Sequence, residues 1–219
     1  MRKSSSRPSA HATQTYRRIR NGSSTAPGSQ SAAFDRPYEN GIQAPTYFTD
    51  EFIDSKIADL VSRGFAVSAH AIGETAIRQL TSAFEKADRQ LERTSDDAMP
   101  NCMRYRIDHC EFPAPDTLER IYELKPSVTI QPGYSWMDKR FMRSYERMLD
   151  KDIYQPADSL RDFADAGVVL CGSSDAPGRP STRLQMRGMR EFYIEEQSLS
   201  AFEALATYTV NGGKMLEKT

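Results

Sequence analysis

FAVSAHAIGETAIRQLTSAFEKADRQLER (residues 65–93) pairs a strand with a helix and sets the pattern for the rest of the chain. Its opening, FAVSAHAIG, is apolar with small residues and reads as a short strand running into a turn. The rest places Ile77, Leu80, Phe84 and Leu91 at helical spacing. The same order recurs on both sides. Upstream, Thr49 reads as the N-cap of DEFIDSKIADLVSRGF (50–65), where Phe52, Ile53, Ile57, Leu60 and Val61 share a face and Gly64 stops the helix. Downstream, a polar linker, TSDDAMPNCM (94–103), leads to the strand YRIDHCE (105–111). DTLERIYELK (116–125) follows as a helix capped by Asp116, then the strand SVTIQPG (127–133). Residues 137–165 carry helical segments broken at Pro156, GVVLCGSSDAP (167–177) is a fourth strand, and helices cover 182–196 and 200–216. Alternating strands and helices predict an α/β fold with a parallel sheet. A doubly wound sheet and a barrel both satisfy the alternation.

Composition narrows the function classes. The 219 residues carry 29 basic and 30 acidic side chains, a net charge of −1. That balance lacks the basic excess of a nucleic-acid binder. No apolar run approaches the ~20 residues of a membrane helix. The cysteines Cys102, Cys110 and Cys171 are odd in number and widely spaced, which suits free thiols in a reducing compartment rather than a disulfide framework. Residues 1–35, rich in Ser, Arg, Gly and Ala, read as an irregular or disordered segment ahead of an ordered unit over 36–219. The first twenty residues are basic and free of acid, as in a mitochondrial transit peptide, but no apolar face accompanies the charges. A cytoplasmic location is the default and a mitochondrial one the alternative.

Three polar residues hold equivalent places in the pattern. His70 ends FAVSAH, His109 ends YRIDH, and Asp175 ends VVLCGSSD. In a parallel β/α fold all three reach the C-terminal edge of the sheet, where active sites are built. Two imidazoles and a carboxylate suit Zn²⁺ or a similar divalent ion, and the carboxylate can instead take a proton from an attacking water. The plainer alternative is that each is a satisfied polar group or a turn former. Cys110 and Cys171 read as packed thiols, and Glu74 as a favourable first-turn charge. Tyr134 and Trp136, just beyond the third strand, read as rim aromatics with a pocket lining as the alternative.

At these residues the chain resembles a known family. HAIGETAI (70–77), YRIDHCE (105–111), SVTIQPG (127–133), DAGVVLCGSSDAP (165–177) and SLSAFEALATYTVNGG (198–213) are similar, in order, to the signature segments of the amidohydrolase-3 family. That family includes YtcJ-like proteins and N-substituted formamide deformylases. The resemblance implies a (β/α)8 TIM barrel of the metal-dependent hydrolase type. This chain would supply strands 5–8, with strand 4 as a further candidate, and would lack the first half and the small β-sandwich. It implies metal binding by His70, His109 and Asp175, with Asp175 also the general base. It implies a divalent metal, Zn²⁺ by preference, and a small-molecule amide substrate whose non-peptide C–N bond is hydrolysed.

Two departures set further expectations. The family's first-strand His-x-His pair has no counterpart here, and RRIRNG (17–22) puts Arg17 and Asn21 where the fourth strand carries Lys and Asp. A guanidinium stays protonated and makes a poor ligand. A closed barrel takes about 250 residues. The expectations are therefore a fragment of a longer enzyme, a half barrel pairing with a second half or with its own copy, or an inactive relative that needs a partner to fold.

Overall fold

Thr49 starts the first helix as its chemistry requires: its side chain accepts from the Phe52 backbone N–H at 3.3 Å. The computed structural model describes residues 16–19, 26–92, 99–132, 145–154, 157–175, 189 and 195–216. In chain order its main elements are β1 (Tyr16–Ile19), α1 (Asp50–Ser62), β2 (Ala66–Ala71), α2 (Glu74–Glu92), α3 (Asn101–Arg104), β3 (Tyr105–His109), α4 (Pro115–Leu124) and β4 (Ser127–Ile130). They continue with α5 (Lys151–Tyr154), α6 (Leu160–Asp165), β5 (Val169–Gly172), α7 (Ala201–Thr207) and α8 (Val210–Leu216).

The strands form one five-stranded sheet in sequential order, and every neighbouring pair is parallel. Sequential parallel order means that each connection crosses the same face. Val67, Ala69, Ala71, Tyr105, Ile107, Val128, Ile130 and Leu170 enter one apolar cluster with Ile53, Ile57, Ile77, Leu80, Phe84 and Ile121 from the helices. Phe84 stacks on Tyr105 with ring centroids 4.6 Å apart. The alternate positions carry Ser68, His70, Arg106, Asp108, Thr129 and Cys171. The sheet thus has an apolar face under helices and a polar face away from them.

A second apolar layer lies over one end of the sheet. Ala32, Phe34, Tyr38, Ala44, Ile72, Phe112, Tyr145, Leu149, Ile153 and Ala157 cluster there. Phe112 anchors it, with Phe34 and Tyr145 edge-on at 5.4 and 5.3 Å. Gly73 lets the segment near residue 33 cross close by: a Cβ at that position would sit 2.2 Å from the Ala33 carbonyl oxygen.

β1 and a 3-10 turn at Pro27–Ser29 precede Asp35, and Ala32, Ala33 and Phe34 are buried. Several expectations need correction. Asp116 does not cap α4. Ala114 holds that place, Pro115 fills the first turn, and Asp116 lies 3.5 Å from Arg78. Phe52 is 48% exposed and stacks on Phe48 rather than joining the core. The helix expected over 200–216 divides at Tyr208–Thr209 into α7 and α8. Most of the helix expected over 182–196 lies outside the described residues.

The start of α7 carries a pH signature. Ser200 and Glu203 form a capping box, and Glu203 also takes both branches of the Arg161 guanidinium at 2.8 Å. The Arg161 and Ser200 side chains hold the Glu203 carboxyl down to about 2. A carboxyl whose folded value lies below its unfolded one contributes stability above the unfolded value and loses it on acidification. Glu203→Gln is expected to remove the stability that the parent loses between pH 4.5 and about 2. Circular dichroism acid titration of the two chains measures it. The side chain is 35% exposed, so solvent screening keeps the difference to about 1 kcal/mol at neutral pH.

Candidate metal centre

Strand ends deliver the three predicted residues to one place. His70, near the end of β2, is half-buried, and His109, the last residue of β3, is buried. Their rings meet edge-on with centroids 4.4 Å apart. Asp175, three residues past β5, brings Oδ2 to 3.7 Å from His109 Nε2. All three stand at the C-terminal edge of the parallel sheet.

Simple alternation does not bring His109 there. In the β2–β3 register His70 lies opposite Asp108, and Ala71 opposite His109. Alternation alone would turn His109 toward the helices with Ala71. The chain avoids this by taking φ +78° at His109 and +56° at Cys110. The twist turns the imidazole to His70 and drops Cys110 into the apolar cluster. Asp175 also has a left-handed backbone, with φ +56°. Such conformations cost non-glycine residues about 1–3 kcal/mol each and gather at functional sites.

The surroundings are ionic. Burial lowers the affinity of His109 for a proton, but the carboxylates of Glu111, Asp175 and Asp108 outweigh it and raise the pKa above the ordinary histidine value. Glu111 is buried, with Oε1 3.4 Å from His109 Nδ1 and Oε2 accepting from the Tyr145 hydroxyl at 3.3 Å. Beneath, on the polar face, Ser68 donates to Asp108 at 2.9 Å, and Arg106 Nε lies 3.0 Å from both Ser68 Oγ and Asp108 Oδ1. The thiols are no part of this chemistry. Burial pushes Cys171 up to about 12 and Cys110 higher still, so neither is a thiolate at neutral pH.

With this geometry in place, comparison with known proteins decides the family. The amidohydrolase family model matches residues 4–219. The chain belongs to the amidohydrolase family. It is 25% identical over 207 residues to YtcJ of Bacillus subtilis (strain 168), which covers 87% of this chain and 36% of YtcJ. Its fold matches the crystal structure of an uncharacterized metal-dependent hydrolase from Pyrococcus furiosus with a TM-score of 0.74 and 23% identity, over 91% of this chain and 39% of that one. A similar structure from Pyrococcus horikoshii OT3 gives 0.72 and 21%, over 90% and 39%. The amidohydrolase chain thus spans between a third and two fifths of the length of these relatives.

How far this amidohydrolase fits a metal follows from its donors. His109 Nε2 and Asp175 Oδ2, 3.7 Å apart, could both reach one cation with bonds near ~2.1 Å at an angle of about 120°, somewhat wider than tetrahedral. His70 stands beside them. Among the described residues, however, no group of three or more His, Cys, Asp or Glu side chains is placed to hold an ion. The pair fits and the third donor is adjacent rather than in position. Arg17 pairs with Val67, three residues before His70 along the strand, while Asn21, Tyr134 and Trp136 lie outside the described residues. No described helix is long and apolar enough to cross a membrane.

Sequence reasoning missed Glu111, Asp108, Arg106 and Ser68. Glu111 had a signal in the quoted segment: a carboxylate two residues after a histidine at a strand end. The remaining three share the polar face by alternation with His70, which the register makes explicit.

Proposed function

We propose that this amidohydrolase chain forms strands 4–8 of a (β/α)8 barrel and takes part in metal-dependent hydrolysis of a C–N bond in a small-molecule amide. The observation that carries the reading is the approach of Asp175 to His109 beside His70, at the edge of the sheet where barrel enzymes build their sites. His70, His109 and Asp175 are the residues that would hold the cation, Zn²⁺ by preference. When bound, a divalent cation supplies Lewis acidity, polarising the carbonyl and making water more acidic. Asp175, 33% exposed, is open enough to reach a water. In this reading its carboxylate takes the proton of the attacking water and passes it to the leaving nitrogen. Neutral imidazole is the binding form of the two histidines.

A second reading has its own support. The absence of a three-donor group among the described residues favours a chain that takes its remaining ligands from a partner, or an inactive relative. The relevant partner is a complementary half barrel or a second copy of this chain. Equilibrium dialysis of the purified chain against Zn²⁺, with sedimentation of the same samples, separates the two. One ion per chain, lost on Asp175→Ala, together with hydrolysis of simple formamides and acetamides supports the enzyme. A folded chain that binds no Zn²⁺ at any assembly state ends the metal hydrolase reading.

A further inference from the structure

The buried pair Glu111 and Tyr145 sits behind the candidate centre, and the hydrolase reading gives neither a task. Glu111 faces His109 Nδ1 with one oxygen and the Tyr145 hydroxyl with the other. Its main chain is fixed as well, since its carbonyl accepts from Asp158 N–H at 2.7 Å and the next residue, Phe112, donates to the Ile72 carbonyl at 3.0 Å. Tyr145 is anchored by the second apolar cluster, 34 residues along the chain and edge-on to Phe112.

We propose that Tyr145 and Glu111 are positioning residues that fix the tautomer and ring orientation of His109. Glu111 Oε1, 3.4 Å from Nδ1, is the carboxylate placed to draw the ring proton to that nitrogen, which would leave the lone pair of the neutral ring on Nε2, the nitrogen that faces Asp175. Histidines used as ligands commonly give their other N–H to a carboxylate, and loss of that partner weakens metal binding by about 10–100-fold. The fold bears strain at His109 and buries a carboxylate to present this nitrogen. The task assigned to Nε2 rests on the hydrolase reading; the tautomer itself does not.

The test is a long-range ¹H–¹⁵N spectrum of the full chain at alkaline pH, where the ring is neutral, followed by Zn²⁺ titration. Parent His109 is expected to carry its proton on Nδ1. Glu111→Ala should revert it to the Nε2–H form and weaken Zn²⁺ binding about 10–100-fold. Glu111→Gln, whose amide oxygen still accepts, should retain Nδ1–H. Tyr145→Phe deletes one hydroxyl and should raise the Nε2–H fraction, which decides the matter if the alanine variant does not fold. A parent ring protonated on Nε2, or a folded Glu111→Ala or Tyr145→Phe variant with an unchanged tautomer, overturns the proposal. A parent with Nδ1–H that binds no Zn²⁺ supports the positioning role while removing the hydrolase reading.

Discussion

Gly73→Ala should destabilise the chain by about 3 kcal/mol and lower Tm by about 6–12 °C. The added methyl would lie 2.2 Å from the Ala33 carbonyl oxygen and 2.8 Å from its carbon. Both are backbone atoms, so no side-chain rotation relieves the overlap. The same carbonyl accepts from the Thr75 N–H at 3.2 Å, and a shift large enough to clear the methyl breaks that bond. The damage would also reach the site, because Ala33 and Gly73 line the small cavity beside His70. Thermal unfolding followed by circular dichroism measures the loss. Gly28→Ala is a fitting control, since a Cβ there meets nothing within 4 Å. An unchanged Tm for Gly73→Ala would mean that the segment near Ala33 does not cross where it is described.

His109→Ala should have the largest functional effect. It removes one donor of the 3.7 Å pair, so Zn²⁺ affinity is expected to fall by more than ~100-fold, beyond the loss of a supporting carboxylate. It also leaves Glu111 buried with one facing group gone, a cost of about 2 kcal/mol. The pH dependence separates the two consequences. The folded pKa of His109 lies above its unfolded value, so its contribution to apo stability is complete below the unfolded value of about 6.5 and is lost as pH rises through the folded one. Metal binding needs the neutral ring and therefore strengthens across the same window. Stability of the apo chain and Zn²⁺ affinity should move in opposite directions with rising pH. In His109→Ala both of these His109 contributions should disappear. Calorimetric Zn²⁺ titration and urea unfolding at several pH values give the comparison.

The two expectations draw on different layers of information. Alternation of FAVSAH, YRIDH, SVTI and VVLCG with helices determines parallel strands, because apolar periodicity and turn residues are local properties. The structure has those strands in sequential order. The same local logic assigned Thr49 its cap and put His70, His109 and Asp175 at the strand ends. Composition averages over such detail: Ala32, Ala33 and Phe34 are buried within a segment that is polar on average. Local pattern therefore specifies the class of fold and the edge of the sheet at which its polar residues gather. The direction in which they face is set by long-range packing. The left-handed turn at His109, the carboxylate of Glu111 behind it and the hydroxyl of Tyr145 behind that depend on register and on contacts far apart in the chain. A period of two predicts the opposite face for His109, and the left-handed backbone at His109 and Cys110 overrides it, with Cys110 and Phe112 buried just beyond the turn.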